Sequence, residues 1–257
     1  MANIHPDAKI AKSAIIEPFA TIAADVVIGE NVWVGPNACI WDGARIGNNV
    51  RIFPGAQVSC EPQDLKFAGE ITTTHIGDNT VIREFVTVSR GTSERMDTAV
   101  GANTMLMAYS HVAHDCEIGD HCIIGNAVQV AGHVHIGDYA IISGMTAVHQ
   151  FVNIGAHVMI SGGSLVRKDV PPFIKAGREP LSYAGINSVG LRRREFSNDQ
   201  IGNIQNAYRL IYQSDLNNSK ALDRIKSEIP QTEDIIKIVS FVENSERGII
   251  RGFTDAL

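Results

Sequence analysis

Residues 111–151 read HVAHDCEIGDHCIIGNAVQVAGHVHIGDYAIISGMTAVHQF, and they sit inside a longer stretch, Val100–Pro171, with one fixed period. An aliphatic residue returns at every sixth position: Val100, Leu106, Val112, Ile118, Ile124, Val130, Ile136, Ile142, Val148, Ile154, Ile160 and Val166. Four positions after each stands a small or branched residue, from Thr104, Ser110 and Cys116 through Thr146 to Ser164 and Val170. Helices repeat at 3.6 and half-buried strands at 2, so a period of six fits neither. It is the signature of a hexapeptide β-helix, where three short strands make one triangular coil. The aliphatic residue fills the coil's centre and the small one lies near a corner.

Working outward, the same phase starts at Ile4 and runs through Ile10, Ile16, Ile22, Ile28, Val34, Ile40, Ile46, Ile52 and Val58. It resumes at Ile76, Ile82 and Val88 before reaching Val100. From Ile4 to Val166 there are 28 positions in phase (162/6 + 1), and only Asp64, Glu70 and Glu94 are not Ile, Val or Leu. These exceptions mark two loops thrown out from the stack, near 61–75 and 91–99, and such loops commonly carry function. The remaining 25 hexads make roughly eight coils, which at the ~4.8 Å spacing of neighbouring strands gives a prism about 40 Å long. Turns such as Ile28-Gly29-Glu30-Asn31 and Ile46-Gly47-Asn48-Asn49 supply the Gly, Asn and Asp that tight corners require. The pattern does not set the hand of the coil; parallel crossovers are ordinarily right-handed.

The ladder ends at Val170-Pro171-Pro172, so residues 1–172 are expected to form the β-helix and 173–257 a connector with a small α-helical domain. Phe173 to Arg194 reads as irregular and locally basic, with Lys175, Arg178 and Arg192-Arg193-Arg194. Beyond it the period becomes helical. Ser197 is expected to cap a helix through Ile201, Ile204, Tyr208 and Ile211. A second helix is expected from Ser219 to Ile229, stopped by Pro230, and a third, capped by Thr232, through Ile235, Ile236, Val239 and Val242. Their apolar stripes need cover from the prism or from a neighbouring subunit.

Composition narrows the function classes. The 257 residues are 44 % hydrophobic with near-zero mean hydropathy, as in a globular protein. No stretch approaches the ~20 apolar residues of a membrane span. Met1–Ile10 lacks the blocks of a signal peptide, so a cytoplasmic location is expected. A net charge of −6 argues against a nucleic-acid-binding surface over the whole protein. Cys116 and Cys122 fall at consecutive small-residue positions, which reads as packing rather than disulfide or metal chemistry.

Residues stacked on successive coils differ by 18. His114 therefore lies under Gly132, and Gly132 under Gln150, with His133 and His149 one residue from that line. His111 stands half a hexad upstream, on the flanking corner or on a neighbouring prism. Three readings compete: scattered surface histidines, a three-histidine zinc site of the kind this architecture can hold, and a general-base site. Asp115 beside His114 suits orienting an imidazole. Gly132 offers a bare backbone N–H to an oxyanion, and Gln150 is a poor metal ligand. These features favour acyl transfer to an alcohol or amine without a metal. Cys116 has the parity of an inward-facing residue, which favours direct transfer over a covalent nucleophile.

Ala113-His114-Asp115-Cys116, Ala131-Gly132-His133-Val134, Gly144-Met145-Thr146-Ala147-Val148-His149-Gln150-Phe151, Gln63-Asp64-Leu65-Lys66-Phe67-Ala68-Gly69-Glu70 and Gly190-Leu191-Arg192-Arg193-Arg194 together resemble the UDP-N-acetylglucosamine acyltransferase family. The resemblance spans essentially the whole chain. It implies a left-handed parallel β-helix and a homotrimer with sites between subunits. The implied reaction moves a (R)-3-hydroxyacyl chain from acyl carrier protein to the glucosamine 3-hydroxyl of UDP-GlcNAc, the first step of lipid A synthesis. The acyl donor rides on the carrier's phosphopantetheine, and no resident cofactor is implied. By motif, His114 is the base with Asp115 beside it, and Gly132 gives the oxyanion its N–H. Gln63, Asp64, Lys66, His111, His133, His149, Gln150, Asn187, Arg193 and Arg194 contact nucleotide sugar or acyl phosphopantetheine. Met159 and Gly162 match the region that measures acyl length. An acidic carrier would be drawn to the basic connector.

The chain departs from the family pattern at Ser89, where His is expected, at Gly163, where relatives can carry Cys, and in a short loop after Thr92. These departures bear on acyl length and on a 3-amino sugar as acceptor. Competing readings on the same architecture are the N-acyltransferase of the same pathway, a γ-type carbonic anhydrase, and a non-catalytic scaffold.

Overall fold

The computed structural model describes residues 1–252. Between Asn3 and Val166 the chain forms 25 strands of two to four residues, one for each intact hexad. They wind into a left-handed parallel β-helix with three faces. Face A, from Asn3–Ile4 onward, holds nine strands; face B, from Lys9–Ile10, holds eight; face C, from Ile15–Ile16, holds eight plus three from the C-terminal region. Each aliphatic position from Ile22 onward is at most 4 % exposed, so the column's interior is a continuous stack of Ile, Val and Leu. Burying such stacked methyls is what stabilises coils too small to hold a core alone.

Register follows the arithmetic. His111 pairs with Gln129 and Val112 with Val130, a step of 18. Two steps differ: Val58 pairs with Val88, a step of 30, and Val88 with Val112, a step of 24. The insertions are thus 12 and 6 residues, both multiples of six, which is why the hexad phase survives across them. They are shorter than the expected breaks. Thr73–Ile76 and Asp97–Val100 are strands paired with one another, leaving loops 61–72 and 90–96.

At most corners the residue three places after the aliphatic has a left-handed backbone. Asn31, Asn49, Asn79, Asn103, Asp115, His121 and His133 have φ between 55° and 59°. Asn, Asp and His tolerate this region better than other side chains. On the BC edge the turns cap one another from coil to coil. The N–H of Glu30 donates to Asn48, that of Asn48 to Asp78, that of Ala102 to Asp120, and that of Asp120 to Asp138, all at 2.7–2.9 Å.

The connector is more ordered than its sequence suggests. Ile174–Gly177 continues face C in parallel with Met159–Ile160, and Ser182–Ile186 folds back on it antiparallel. Among the described residues four helices follow: α1 Ser188–Arg193, α2 Asn198–Tyr212, α3 Asn218–Glu228 and α4 Glu233–Glu243. Ser197 and Gln200 form a full capping box on α2. The second helix starts before Ser219, because the Asn217 side chain accepts from the Lys220 N–H. Thr232 stands at the start of α4 but makes no side-chain cap; its buried hydroxyl has no partner, while Glu233 and Asp234 favour the helix N-terminus electrostatically. The fully buried Tyr208 donates its hydroxyl to the Pro172 carbonyl at 2.6 Å, fixing the helices to the end of the prism.

Candidate active site

His114 and Asp115 form the AB turn between the strands His111–Val112 and Glu117–Ile118. Gly132 and His133 form the same turn one coil on, and Gln150 and Phe151 the next. Both insertions, 61–72 and 90–96, also leave from this edge, since each joins a face A strand to a face B strand. Two loops and the histidine turns therefore share one corner of the prism.

His114 is 6 % exposed and Asp115 2 %. His114 Nδ1 lies 2.7 Å from Asp115 Oδ2. An ionised carboxylate only accepts, so Nδ1 carries the proton and Nε2 keeps its lone pair in the neutral ring. Asp115 is itself held. The Thr92 N–H donates to Oδ1 at 2.9 Å, the Thr92 hydroxyl donates to Oδ2 at 2.7 Å, and the Asp115 N–H donates to Thr98 Oγ1 at 2.8 Å. Burial alone would raise the Asp115 pKa, yet the Thr92 and His114 hydrogen bonds outweigh it and hold the carboxyl below its ordinary range.

Gly132 lies directly over the His114 ring. A Cβ there would sit 2.7 Å from His114 Cε1 and 2.8 Å from Nε2, so only glycine allows this approach. Among the described residues the Gly132 N–H has no acceptor, unlike the capped N–H groups of the BC edge. On the other side, His114 Nε2 is 3.9 Å from Asp64 Oδ2, in the first insertion. Asp64 shapes that loop by accepting from the Lys66 N–H at 2.9 Å, and the Arg90 guanidinium lies 5.3 Å over the Phe67 ring, pinning the two insertions together.

His133 meets His114 edge-on at 5.1 Å and stacks on Phe151 at 4.6 Å. Its Nε2 is 3.6 Å from Asp115 Oδ2 and 3.7 Å from Glu94 Oε2. His111 Nδ1 contacts Thr87 Oγ1 at 2.7 Å; burial first, then the neighbouring His114, keeps its pKa below the usual imidazole value. One nitrogen or oxygen from each of His114, Asp115 and His133 falls within a 4.8 Å cluster, the group that could hold a cation. Burial pushes the Cys116 thiol up to about 12, and it contacts the Ala131 carbonyl instead of facing the edge.

The other expected residues stand elsewhere. His149 is exposed, and its Nδ1 lies 3.0 Å from the Gln150 carbonyl and 3.2 Å from Arg247 Nη2. Gln63 and the Lys66 side chain are exposed, and Gln150 is half-buried on the next coil. Asn187 caps α1 and donates to the His157 carbonyl at 2.9 Å. Arg193 is exposed on α1, and Arg194 packs 5.0 Å over the Tyr139 ring and donates to the Tyr139 carbonyl. Met159 and Gly162 are exposed, on face C and at the corner after it. A groove of about 750 Å³ runs between α4 and the BC edge, lined by Glu117, His135, Asp138, Asp169 and Lys237, and none of the expected site residues lines it.

Thr92, Thr98 and Glu94 were not singled out from sequence. The signal was present: Val88 and Val112 differ by 24, one coil plus six residues, which places the second insertion directly beneath His114.

Comparison with known proteins decides the family. Residues 169–250 match the family described as Udp N-acetylglucosamine O-acyltransferase, domain 2, and residues 25–60 and 97–132 match bacterial transferase hexapeptide repeats. An acyl-(acyl-carrier-protein)–UDP-N-acetylglucosamine O-acyltransferase of Trichlorobacter lovleyi is 50 % identical over 255 residues, 98 % of each chain. The chain belongs to the UDP-N-acetylglucosamine O-acyltransferase family. It is an acyltransferase. The crystal structure of the family member from Bacteroides fragilis superposes with a TM-score of 0.96 at 54 % identity, covering 97 % of this chain and 98 % of that one. The family member from Campylobacter jejuni gives 0.87 at 33 % identity, covering 98 % and 100 %. No helix among the described residues is long and apolar enough to cross a membrane.

Proposed function

We propose that this acyltransferase moves a (R)-3-hydroxyacyl chain from acyl carrier protein to the glucosamine 3-hydroxyl of UDP-GlcNAc, the first step of lipid A synthesis. The observation that carries the reading is the buried His114 ring, with Nδ1 tied to Asp115 at 2.7 Å and its other edge against Gly132. Nε2 takes the proton of the attacking 3-hydroxyl while the oxygen adds to the thioester carbonyl. The resulting oxyanion accepts from the Gly132 N–H. Collapse breaks the C–S bond, and the phosphopantetheine thiolate recovers the proton from His114. The names of the relatives supply the two substrates. The transfer is direct and metal-free in this reading, with no resident cofactor.

Asp64, Lys66, His111 and His133 then receive the sugar. His149, Gln150, Asn187, Arg193 and Arg194 sit apart from His114 in one chain and serve the nucleotide or phosphopantetheine across the interface of a homotrimer. Met159 and Gly162 set the acyl length. The test is incubation with UDP-GlcNAc and a panel of hydroxyacyl carrier proteins, read by mass spectrometry. A product heavier by one hydroxyacyl group is expected and reports the chain length. No product from folded protein, with UDP-GlcNAc or its 3-amino analogue, would overturn the reading. Stoichiometric zinc in active protein would overturn its metal-free part.

A further inference from the structure

Asp115 Oδ2 has two imidazoles within reach. His114 Nδ1 is 2.7 Å away, and His133 Nε2 is 3.6 Å away. A buried carboxylate placed between two rings serves whichever one its rotamer favours, and its choice fixes which imidazole has a defined tautomer. Something must decide, and Asp115's own corner conformation orients the backbone only.

We infer that Thr92 is a positioning residue that commits Asp115 to His114 rather than to His133. Thr92 is 5 % exposed and meets both carboxylate oxygens, by its N–H at 2.9 Å and its hydroxyl at 2.7 Å. A carboxylate gripped on both oxygens cannot rotate toward His133 without breaking one of these bonds. The grip is itself fixed. The Thr92 carbonyl accepts from the Met96 N–H at 2.7 Å, the Thr92 hydroxyl accepts from the Glu94 N–H at 3.3 Å, and the Gly91 N–H donates to the Thr73 carbonyl at 3.2 Å. Gly91 lies so close to the Asp97 N–H, 2.3 Å from where a Cβ would stand, that the loop packs flat on the strand behind it. The second insertion thus acts as a clamp on the dyad, with Thr92 bonded to Asp115 and, among the described residues, not hydrogen-bonded to His114.

This inference rests on the reading of His114 as the general base, and its test has a part that does not. Histidine-labelled protein is examined by ¹H–¹⁵N NMR at neutral pH, with the His114 signals assigned by comparison with His114→Gln. The wild type is expected to show a single Nδ1–H tautomer at His114. Thr92→Val and Thr92→Ala remove the hydroxyl and are expected to lose that single tautomer, with kcat falling roughly 10- to 100-fold at nearly unchanged KM, the scale of a misplaced catalytic group. Thr92→Ser keeps the hydroxyl and should retain both tautomer and kcat. Should the valine variant fail to fold, the serine–alanine pair decides: equal behaviour of the two would overturn the inference. So would a folded Thr92→Val protein with wild-type His114 signals and kcat within twofold. A wild-type protein that transfers no acyl group removes the general-base reading, while the NMR comparison still decides the clamp.

Discussion

On the BC edge, Asp120 accepts from the Ala102 N–H at 2.7 Å, and its own N–H donates to Asp138 at 2.9 Å. On the AB edge, the equivalent N–H at Gly132 has no acceptor among the described residues, and the side chain above His114 is missing altogether. Both edges turn with the same left-handed corner, as at Asn103 and His133. The polar side chains of the BC edge cap several of its own turns, whereas at the His114 turn of the AB edge a carboxylate and two imidazoles gather beside an uncapped donor. In a repeat fold every corner starts equivalent, so the places where the coil-to-coil caps stop are where a ligand's atoms can complete the hydrogen bonding.

The largest break in this contrast is His114→Ala, expected to lower the rate on the order of 10²–10⁴ with the fold intact; a loss below tenfold in folded protein would remove the general base. Gly132→Ala puts a methyl into the His114 ring and is expected to reduce kcat about 10²-fold. Wild-type turnover by that variant would show that the open N–H is unimportant. A third test uses pH. Asp115 is held below its ordinary range, so its contribution to stability is full above pH ~4 and fades as pH falls through the lower folded value. The melting-temperature gap between wild type and Asp115→Asn is expected to be steady from neutral pH to about 5 and to close in stronger acid. A gap that does not depend on pH would contradict the hydrogen-bonded, ionised carboxyl.

The remaining predictions probe the capped side and the interior. Asp120→Ala removes one exposed cap and should cost about 1 kcal/mol by denaturant titration, with kcat unchanged; a matching loss of activity would blur the distinction between the edges. The smallest effect is expected at Cys116. With its thiol at about 12, iodoacetamide near pH 8 should leave both Cys116 and the activity untouched, and peptide mapping of an inactivated sample showing Cys116 alkylated would argue otherwise.

Much of this was legible because the repeat converts sequence distance into spatial distance. Adding 18 to His114 finds Gly132, and the structure sets Gly132 directly against the His114 ring. The insertions hid their consequence by being multiples of six: they kept the phase of Val58, Val88 and Val112 while changing the coil-to-coil step, so Thr92 was not read as a neighbour of Asp115. His149 stands on the edge expected from the period, but the orientation of its ring is not legible there. Its ring orientation involves Arg247, 98 residues away, a non-local contact that no period encodes. The hairpin of Ile174–Gly177 and Ser182–Ile186 escaped for a similar reason, because its first strand exists by extending face C rather than by its own alternation. Asn217 outcompeted Ser219 as a helix start through one side-chain hydrogen bond, a difference of two residues between equally good capping types.

The left-handed corner also restricts which chemistries this architecture can acquire. Asp115 at φ 58° and His133 at φ 59° occupy a backbone conformation that penalises β-branched side chains. A random substitution at such a corner is filtered first by conformational cost and only then by reactivity. Carboxylates, carboxamides, imidazoles and other side chains unbranched at Cβ, such as Phe85 and Tyr109, pass that filter, and no threonine or valine stands at a left-handed corner among the described residues. Threonine contributes from the strand at Thr98 and from an insertion at Thr92, where the backbone is not bound to the corner. A column of such turns thus admits acid–base groups but excludes β-branched ones, and its insertions are the route by which threonine enters its sites.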